Sequence, residues 1–450
     1  MATPSTSTSR RQFLKSGGAI AAGSALAATA IPRVHAAEDN TIRLALIGCG
    51  GRGRGAVANA FTTSDLGPIK LYAMADVFAD RLQSTEKVIA GKYPEQFDAP
   101  AERQFVGFDA YKKAIDCLRP GDVAMLTGYT AWRPLQLEYA VSKGINVFME
   151  KSFATDPPEV RRLIKAGEEA EKKNLKIAAG LQCRHSQARQ ELIKRIRDGE
   201  IGDILLIRAY RLTNTADLGP KPDALSELHW QIRNPVQFHW VSGGYYAEMN
   251  IHQIDEICWL KDQWPTTAFG MGGRNPDHRN RSQILDSYHI EFTFPDGVKG
   301  TDDGRFISNT HTEFATYVHG SKCAAQFSGP VHRDDVHIFK DQRIDKDNIA
   351  WSAERDPYNP WDAEWRVLID AIRNDKPHNE AKRAALSNLA DIMGRAAVHS
   401  GQIITWDEAM ASNFQWCDYT DTMTDDSPAP VKPDAEGYYP APNAGQWTEI

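Results

Sequence analysis

The sequence predicts an α/β protein in two parts, a doubly wound parallel sheet followed by an α+β region with an open, mainly antiparallel sheet. Three observations predict it. A glycine pattern lies between an apolar run and a helix-forming run. Apolar strands then alternate with helical segments up to about residue 180. From Cys183 onward, longer strand-like runs are separated by turn signals.

The glycine pattern is Ile42–Gly55, IRLALIGCGGRGRG. The apolar run stops at Gly48, and Gly50 and Gly53 complete G-x-G-x-x-G directly before Ala56–Phe61. In a Rossmann fold the first glycine permits the turn, the second lets backbone approach a pyrophosphate, and the third lets helix and strand pack closely. The N-terminus of the helix offers unpaired N–H groups to the phosphates. A second apolar run, Ile69–Ala75, ends in Asp76, 23 positions beyond Gly53, where a ribose-binding carboxylate is expected. The pattern predicts bound NAD; Asp76 with no immediately adjacent arginine disfavours NADP, although Arg52 and Arg54 in the glycine loop soften that preference.

The first 37 residues read as a Tat export signal: Ser9–Lys15 carries the twin arginines, Gly17–Ile31 is a mild apolar stretch, and Val34-His35-Ala36 resembles a cleavage site. Fifteen such residues are too few to span a bilayer, so no membrane anchor is expected. The Tat translocase carries folded proteins, which allows a cofactor to be loaded before export, and the mature chain is expected in the periplasm. Its loss of four cations moves the formal charge from −7 to −11, and an acidic chain has no electrostatic attraction to nucleic acid. The six cysteines are scattered singly, which argues for buried residues or free thiols rather than a zinc site.

In chain order, helical periodicity covers Phe78–Lys92 and Asp109–Leu118, and Asp122–Leu126 reads as a strand. Thr127–Pro134 is a loop before a helix, Asn146–Met149 a strand ending at Glu150-Lys151, and Asp156-Pro157-Pro158-Glu159 an N-cap signature. Lys176–Ala179 is a further strand. Asp76, Thr127, Glu150, Lys151 and Gln182 collect at strand ends, where such folds bind ligands, though a solvated strand end explains any one of them. After a helix over Gln187–Asp198, strands are expected at Ile204–Leu212, Phe269–Gly272, Tyr288–Phe294 and Val298–Ile307, with a hairpin at Pro295-Asp296-Gly297. Helices are expected at Trp361–Arg373 and Glu380–Ser400, and Asp425–Tyr439 reads as a tail lying on the surface or on a partner subunit. The implied boundaries are 38–180 for the Rossmann part, 181–417 for the second and 418–450 for the tail.

A second constellation follows. Thr213–Gly243 has little periodicity and carries His229-Trp230 and His239-Trp240, aromatic pairs suited either to stacking on sugar rings or to closing a core edge. Next, Glu248, His252, Asp255 and Trp259 fall at i, i+4, i+7 and i+11 on one helix, beside an apolar stripe of Ile251, Ile254 and Cys258. An imidazole between two carboxylates would be a general base of near-neutral pKa. The same stripe also fits a solvated helix face. A metal site from Glu248 and His252 lacks a further ligand cluster, so no metal is expected.

These residues resemble the Gfo/Idh/MocA group of sugar and inositol dehydrogenases over about Thr41–Met410. The most specific matches are Gly48–Gly53 with Gly51 and Arg52, Asp76, Trp132, Glu150-Lys151, Gly243-Gly244 with Glu248 and His252, and Gly401–Trp406. The resemblance implies homodimers or homotetramers packed through the open sheet, and hydride transfer on sugars. It places the cofactor on Gly48, Gly50, Gly51, Arg52, Gly53, Asp76, Thr127, Trp132, Glu150 and Lys151. Lys151, His252 and Glu248 become the catalytic candidates, and Gln182, Arg184, Trp230, Tyr245, His252 and Asp255 the substrate candidates. The chain departs from the group's pattern at Ser152 (usually Pro), Glu248 (usually Asp) and Gly128-Tyr129 (usually Thr-Pro). Three functions fit: a cofactor-retaining sugar oxidoreductase, a redox-neutral NAD-dependent glycosidase, and a non-catalytic sugar-binding protein.

Overall fold

Six short strands, buried on both faces over most of their length, build the first sheet. In a computed structural model that describes residues 40–214, 217–275, 280–329 and 335–450, these are β1 (Ile42–Ile47), β2 (Ile69–Asp76), β3 (Gln104–Val106), β4 (Val123–Leu126), β5 (Asn146–Met149) and β6 (Ile177–Ala179). The expected export signal lies outside the described residues. The order is β3-β2-β1-β4-β5-β6 with every pair parallel. β4 and β5 are buried at every position, so they read as near-continuous apolar runs. The order reverses between β1 and β4, which opens a crevice at their carboxyl ends.

The helices between these strands follow the local signals. Asp156 caps the helix Pro157–Lys172 by accepting from the Glu159 amide at 3.2 Å, while Glu159 accepts from the Thr155 amide at 2.6 Å. The helix expected from Asp109 to Leu118 is shorter, Ala110–Ile115. β3, three partly exposed residues, gives no apolar run to read.

The second sheet has nine strands, more than the sequence shows. They are β7 (Ile204–Thr213), β8 (Thr267–Gly273), β9 (Ser287–Thr293), β10 (Lys299–Phe306), β11 (Glu313–Gly320), β12 (Ala324–Ser328), β13 (His337–Phe339), β14 (Ile349–Ser352) and β15 (Ile404–Thr405). Their order is β14-β13-β12-β11-β7-β10-β9-β8-β15, antiparallel except for the central β7–β10 pair. Helices Gly244–Lys261 and Ala381–Ser400 cover one face. The small residues of β8 permit this: a Cβ at Gly270 would lie 2.5 Å from Val398. Phe269 and Met271, alternating with them, stay exposed.

The segment before Gly243 is not structureless. It holds helices Glu227–Arg233 and His239–Ser242, and Trp240 is fully buried, its indole N–H donating to Gln231 at 2.7 Å. The tail lies on its own chain: Val431 accepts from Gln231 at 2.6 Å, Tyr439 is buried edge-on against Phe238, and Glu449 ends inside the core. There Glu449 meets Arg395 at 3.0 Å and His399 at 3.2 Å, with no side chain of the three exposed. Among the described residues no helix is long and apolar enough to cross a membrane.

Asp302 on β10 is buried under the helix Gly244–Lys261, where Tyr246 donates to it at 2.6 Å and Asn250 at 2.9 Å. Burial pushes its carboxyl up to about 8 against those hydrogen bonds. The unfolded chain ionises this group near 3.8, so between that value and about 8 the native state binds more protons, and stability falls as pH rises. Asp302→Asn removes this slope. Melting curves of both proteins should show the variant gaining on the native protein from pH 5 to pH 8 by at least about 2 °C; a constant difference would contradict the assignment.

Candidate functional site

The crevice at the ends of β1, β2 and β4 is an open cleft lined among others by Gly48, Gly50, Asp76, Arg81, Thr127 and Trp132. Gly48, at φ +98°, lies so close to the β4 loop that a Cβ would fall 2.3 Å from the Gly128 nitrogen. Thr127 ties the two loops by donating to the Gly48 carbonyl at 2.7 Å. A Cβ at Gly53 would meet the Gly48 carbonyl at 2.2 Å, whereas at Gly50 or Gly51 it would meet nothing within 4 Å. The third glycine therefore serves packing, and the open space at the second faces the start of helix Gly51–Phe61, whose first turn holds no acid. That cradle fits a dinucleotide pyrophosphate.

Asp76 holds the loop as well as facing the cleft, accepting from the Cys49 amide at 2.6 Å and the Phe78 amide at 2.8 Å. An arginine shares its surroundings after all. Arg81, five positions on and across the start of the next helix, lines the same cleft, its guanidinium over Phe78 and Tyr129 and its charge facing Asp76. Adjacency in sequence missed it because a strand–helix turn folds the fifth residue back. Arg52 is committed elsewhere, to Glu150 at 2.5 Å, Asn59 at 3.1 Å and buried Glu364 at 3.6 Å.

Past the end of β5, the Lys151 ammonium reaches helix Gly244–Lys261, donating to the Glu248 carboxylate at 2.6 Å and the Glu248 carbonyl at 2.7 Å. The Lys151–Ser152 peptide is cis. Ser152 donates to the Ala247 carbonyl at 3.0 Å, and Thr130 reaches Glu248 at 3.5 Å. Arg133, which sequence reasoning did not single out, is buried and donates to carbonyls at Leu126, Gly128 and Ser152, joining the loops after β4 and β5.

His252 lies one turn beyond Glu248 and is buried. The imidazole is not held between two carboxylates, because both are taken by cations from other elements. Glu248 is on Lys151, and Asp255 is on Arg184 at 2.8 Å through both oxygens, with Ser387 at 2.6 Å. Burial, followed by Lys151 and then Arg211, holds His252 well below its ordinary value instead of near it. The helix is buried nearly all round, and Glu256, on a further face, accepts from Thr316 at 2.6 Å and Ser328 at 2.8 Å and meets Arg189 at 3.6 Å.

The structure thus gathers Lys151, Glu248 and His252 in one place, and the glycines, Asp76, Thr127 and Trp132 in the neighbouring cleft. Gln182 is buried just past β6. Tyr245 is half-buried, its hydroxyl donating to the Asn214 carbonyl at 3.0 Å. Trp230 packs in the aromatic cluster of Phe78, Trp132 and Trp240. His239 is a core residue against Trp416 and His399, and His229 pairs with Asp425 at 2.9 Å.

A doubly wound sheet with a dinucleotide cradle is thus joined to a second sheet, and Lys151 past the end of the first meets Glu248 on the helix that covers the second, one turn from His252. Residues 189–326 match the GFO/IDH/MocA C-terminal domain, and residues 7–27 match the TAT (twin-arginine translocation) pathway signal sequence. The chain is similar to the scyllo-inositol dehydrogenase from Lactobacillus casei with bound NAD(H) and scyllo-inositol, at 18% identity and TM-score 0.60 over 82% of this chain and 99% of that one. It is also similar to the aldose-aldose oxidoreductase from Caulobacter crescentus complexed with glycerol, at 16% identity and TM-score 0.64 over 81% and 99%. A third is the WlbA dehydrogenase from Bordetella pertussis in complex with NADH and UDP-GlcNAcA, at 16% identity and TM-score 0.63 over 81% and 98%. The chain therefore carries a GFO/IDH/MocA C-terminal domain on the fold these proteins share, and the resemblance read from its sequence holds. Its signal marks it for export across the membrane by the Tat translocase.

Two glycine variants separate the roles of the loop. Gly50→Ala should fold with an unchanged melting temperature but weaken NAD binding at least tenfold by calorimetry, since its methyl enters the phosphate space. Gly53→Ala, forced against the Gly48 carbonyl, should cost about 1–3 kcal/mol of stability. Equal melting temperatures for the two would contradict this division.

Proposed function

We propose that this protein is a periplasmic carbohydrate oxidoreductase that holds NAD tightly and moves a hydride between a sugar or polyol carbon and the nicotinamide. The observation that carries the reading is the Lys151 ammonium, fixed by two contacts to Glu248 and acting more strongly than any other charge on His252. The pair is the expected acid–base equipment for a CH–OH group, supplied from the end of one sheet and from the helix that covers the other.

A bound nicotinamide supplies the hydride acceptor. Lys151 donates a hydrogen bond to the reacting hydroxyl and stabilises the alkoxide that forms as its proton leaves. Glu248 holds the ammonium in position. His252, kept uncharged by burial and by the cations around it, takes the proton. Asp76 favours NAD over NADP by repelling a 2′-phosphate, and Arg81 is the counterweight that sets how strict that preference is. Export leaves the enzyme without a cytoplasmic cofactor pool, so the cofactor is retained and reoxidised in place by a second sugar. The exposed Phe269 and Met271 on the uncovered face of β8 support self-association of two or four copies through that face.

Lys151→Met should lower reduction of bound NAD by sugar about 10³-fold while NAD affinity stays within a few-fold; retained turnover would rule out the role given to Lys151. Release of aglycone from an aryl glycoside without added acceptor would move the assignment to a redox-neutral glycosidase. Because His252 sits well below 6.5, the acid limb of kcat/KM should fall well below that pH, and a limb near 6.5 would assign the base to another group.

A further inference from the structure

Three arginines buried around the helix Gly244–Lys261 are matched by carboxylates, whereas Arg211 is not. Arg184 is matched by Asp255, Arg189 by Glu256 and Arg395 by Glu449. Arg211, near the end of β7, has no carboxylate within 4.0 Å among the described residues. Its one described hydrogen-bond contact runs from Nη2 to the Met249 sulfur at 3.8 Å, and its buried Nη1 has no hydrogen-bond partner.

Its surroundings orient the guanidinium rather than neutralise it. Arg211 lies on the face of β7 that also presents buried Ile207 and Ala209, beneath the helix that carries Met249. The facing residue on β10 is Gly304, which adds no side chain, and the facing residue on β11 is Phe314, whose ring lies 3.9 Å from the guanidinium carbon. The site beside it already has its charges balanced between Lys151 and Glu248. Arg211 therefore has no close carboxylate of its own, and its charge reaches His252. A largely buried cation with unmet donors is costly unless a partner arrives. A flat guanidinium stacked on a ring presents its fork to a planar or tetrahedral oxyanion.

We infer that Arg211 is a substrate-recognition residue and that the sugar this site prefers carries an oxyanion, a carboxylate or a phosphate ester, which Arg211 binds in place of an internal acid. The inference rests on the oxidoreductase reading for the identity of the site, but its binding test does not depend on turnover.

The test compares glucuronate, glucose 6-phosphate and glucose, each with the NAD-loaded native protein and with Arg211→Gln and Arg211→Lys. In the native protein one or both anions should bind at least tenfold more tightly than glucose by calorimetry, and which anion does so identifies the oxyanion. In Arg211→Gln the ratio of anionic to neutral kcat/KM should fall about 100-fold, mostly through KM, with part of it restored in Arg211→Lys. Native protein that binds glucose as well as both anions, or an Arg211→Gln that weakens all three equally, overturns the inference. Should Arg211→Gln fail to fold, the native binding comparison decides alone. Tight, Arg211-dependent binding of an anionic sugar without any NAD reduction would sink the oxidoreductase reading and leave this one standing.

Discussion

The contact between Lys151 and Glu248 is the constraint on which the arrangement depends. It joins residues 97 positions apart, one just past the end of a parallel strand and the other on the helix under a second sheet. An ammonium removed from water needs a charged partner close by, so the two layers are held at the separation that lets these side chains meet. Burial first, and then the fixed positive charge of this contact, hold His252 below its ordinary value.

The rest of that junction is built in the same way, from charges whose partners lie far away in sequence or on a neighbouring loop. Arg184 leaves the end of β6 for Asp255, Arg52 leaves the glycine loop for Glu150 and Glu364, and Arg133 spans the carbonyls of two loops. Paired buried charges contribute little net stability but discriminate strongly against misplacement, since a displaced partner leaves a bare charge behind. Lys151 is held by both the carboxylate and the backbone carbonyl of Glu248, which fixes its ammonium at two points.

The first sheet was legible because its signals are local. Glycine spacing, buried strands and the Asp156 cap each act within a few residues, and they place the cradle without tertiary knowledge. The second sheet was legible only in part: β13, β14 and β15 are too short to carry a period, and β11 and β12 were missed although β11 runs for eight residues. The polar stripe on Gly244–Lys261 placed Glu248 and His252 correctly on one helix, yet it misjudged the imidazole, because the cations that claim the carboxylates come from positions far away in sequence. His239-Trp240 shows the same limit from the other side: an aromatic pair looks alike whether it meets a sugar or a core, and here it meets Trp416 and Gln231.

The burial of Glu449 has a consequence for the order in which the chain acquires its structure. Burial pushes that carboxyl up, and Arg395 and His399 more than offset the effect; Arg395 in turn holds the carbonyls of Gly243 and Thr155. Until Glu449 is in place, the guanidinium at the centre of this network lacks its nearest counter-charge and keeps only the charge of Asp391, so the network closes only once the segment carrying residue 449 has docked.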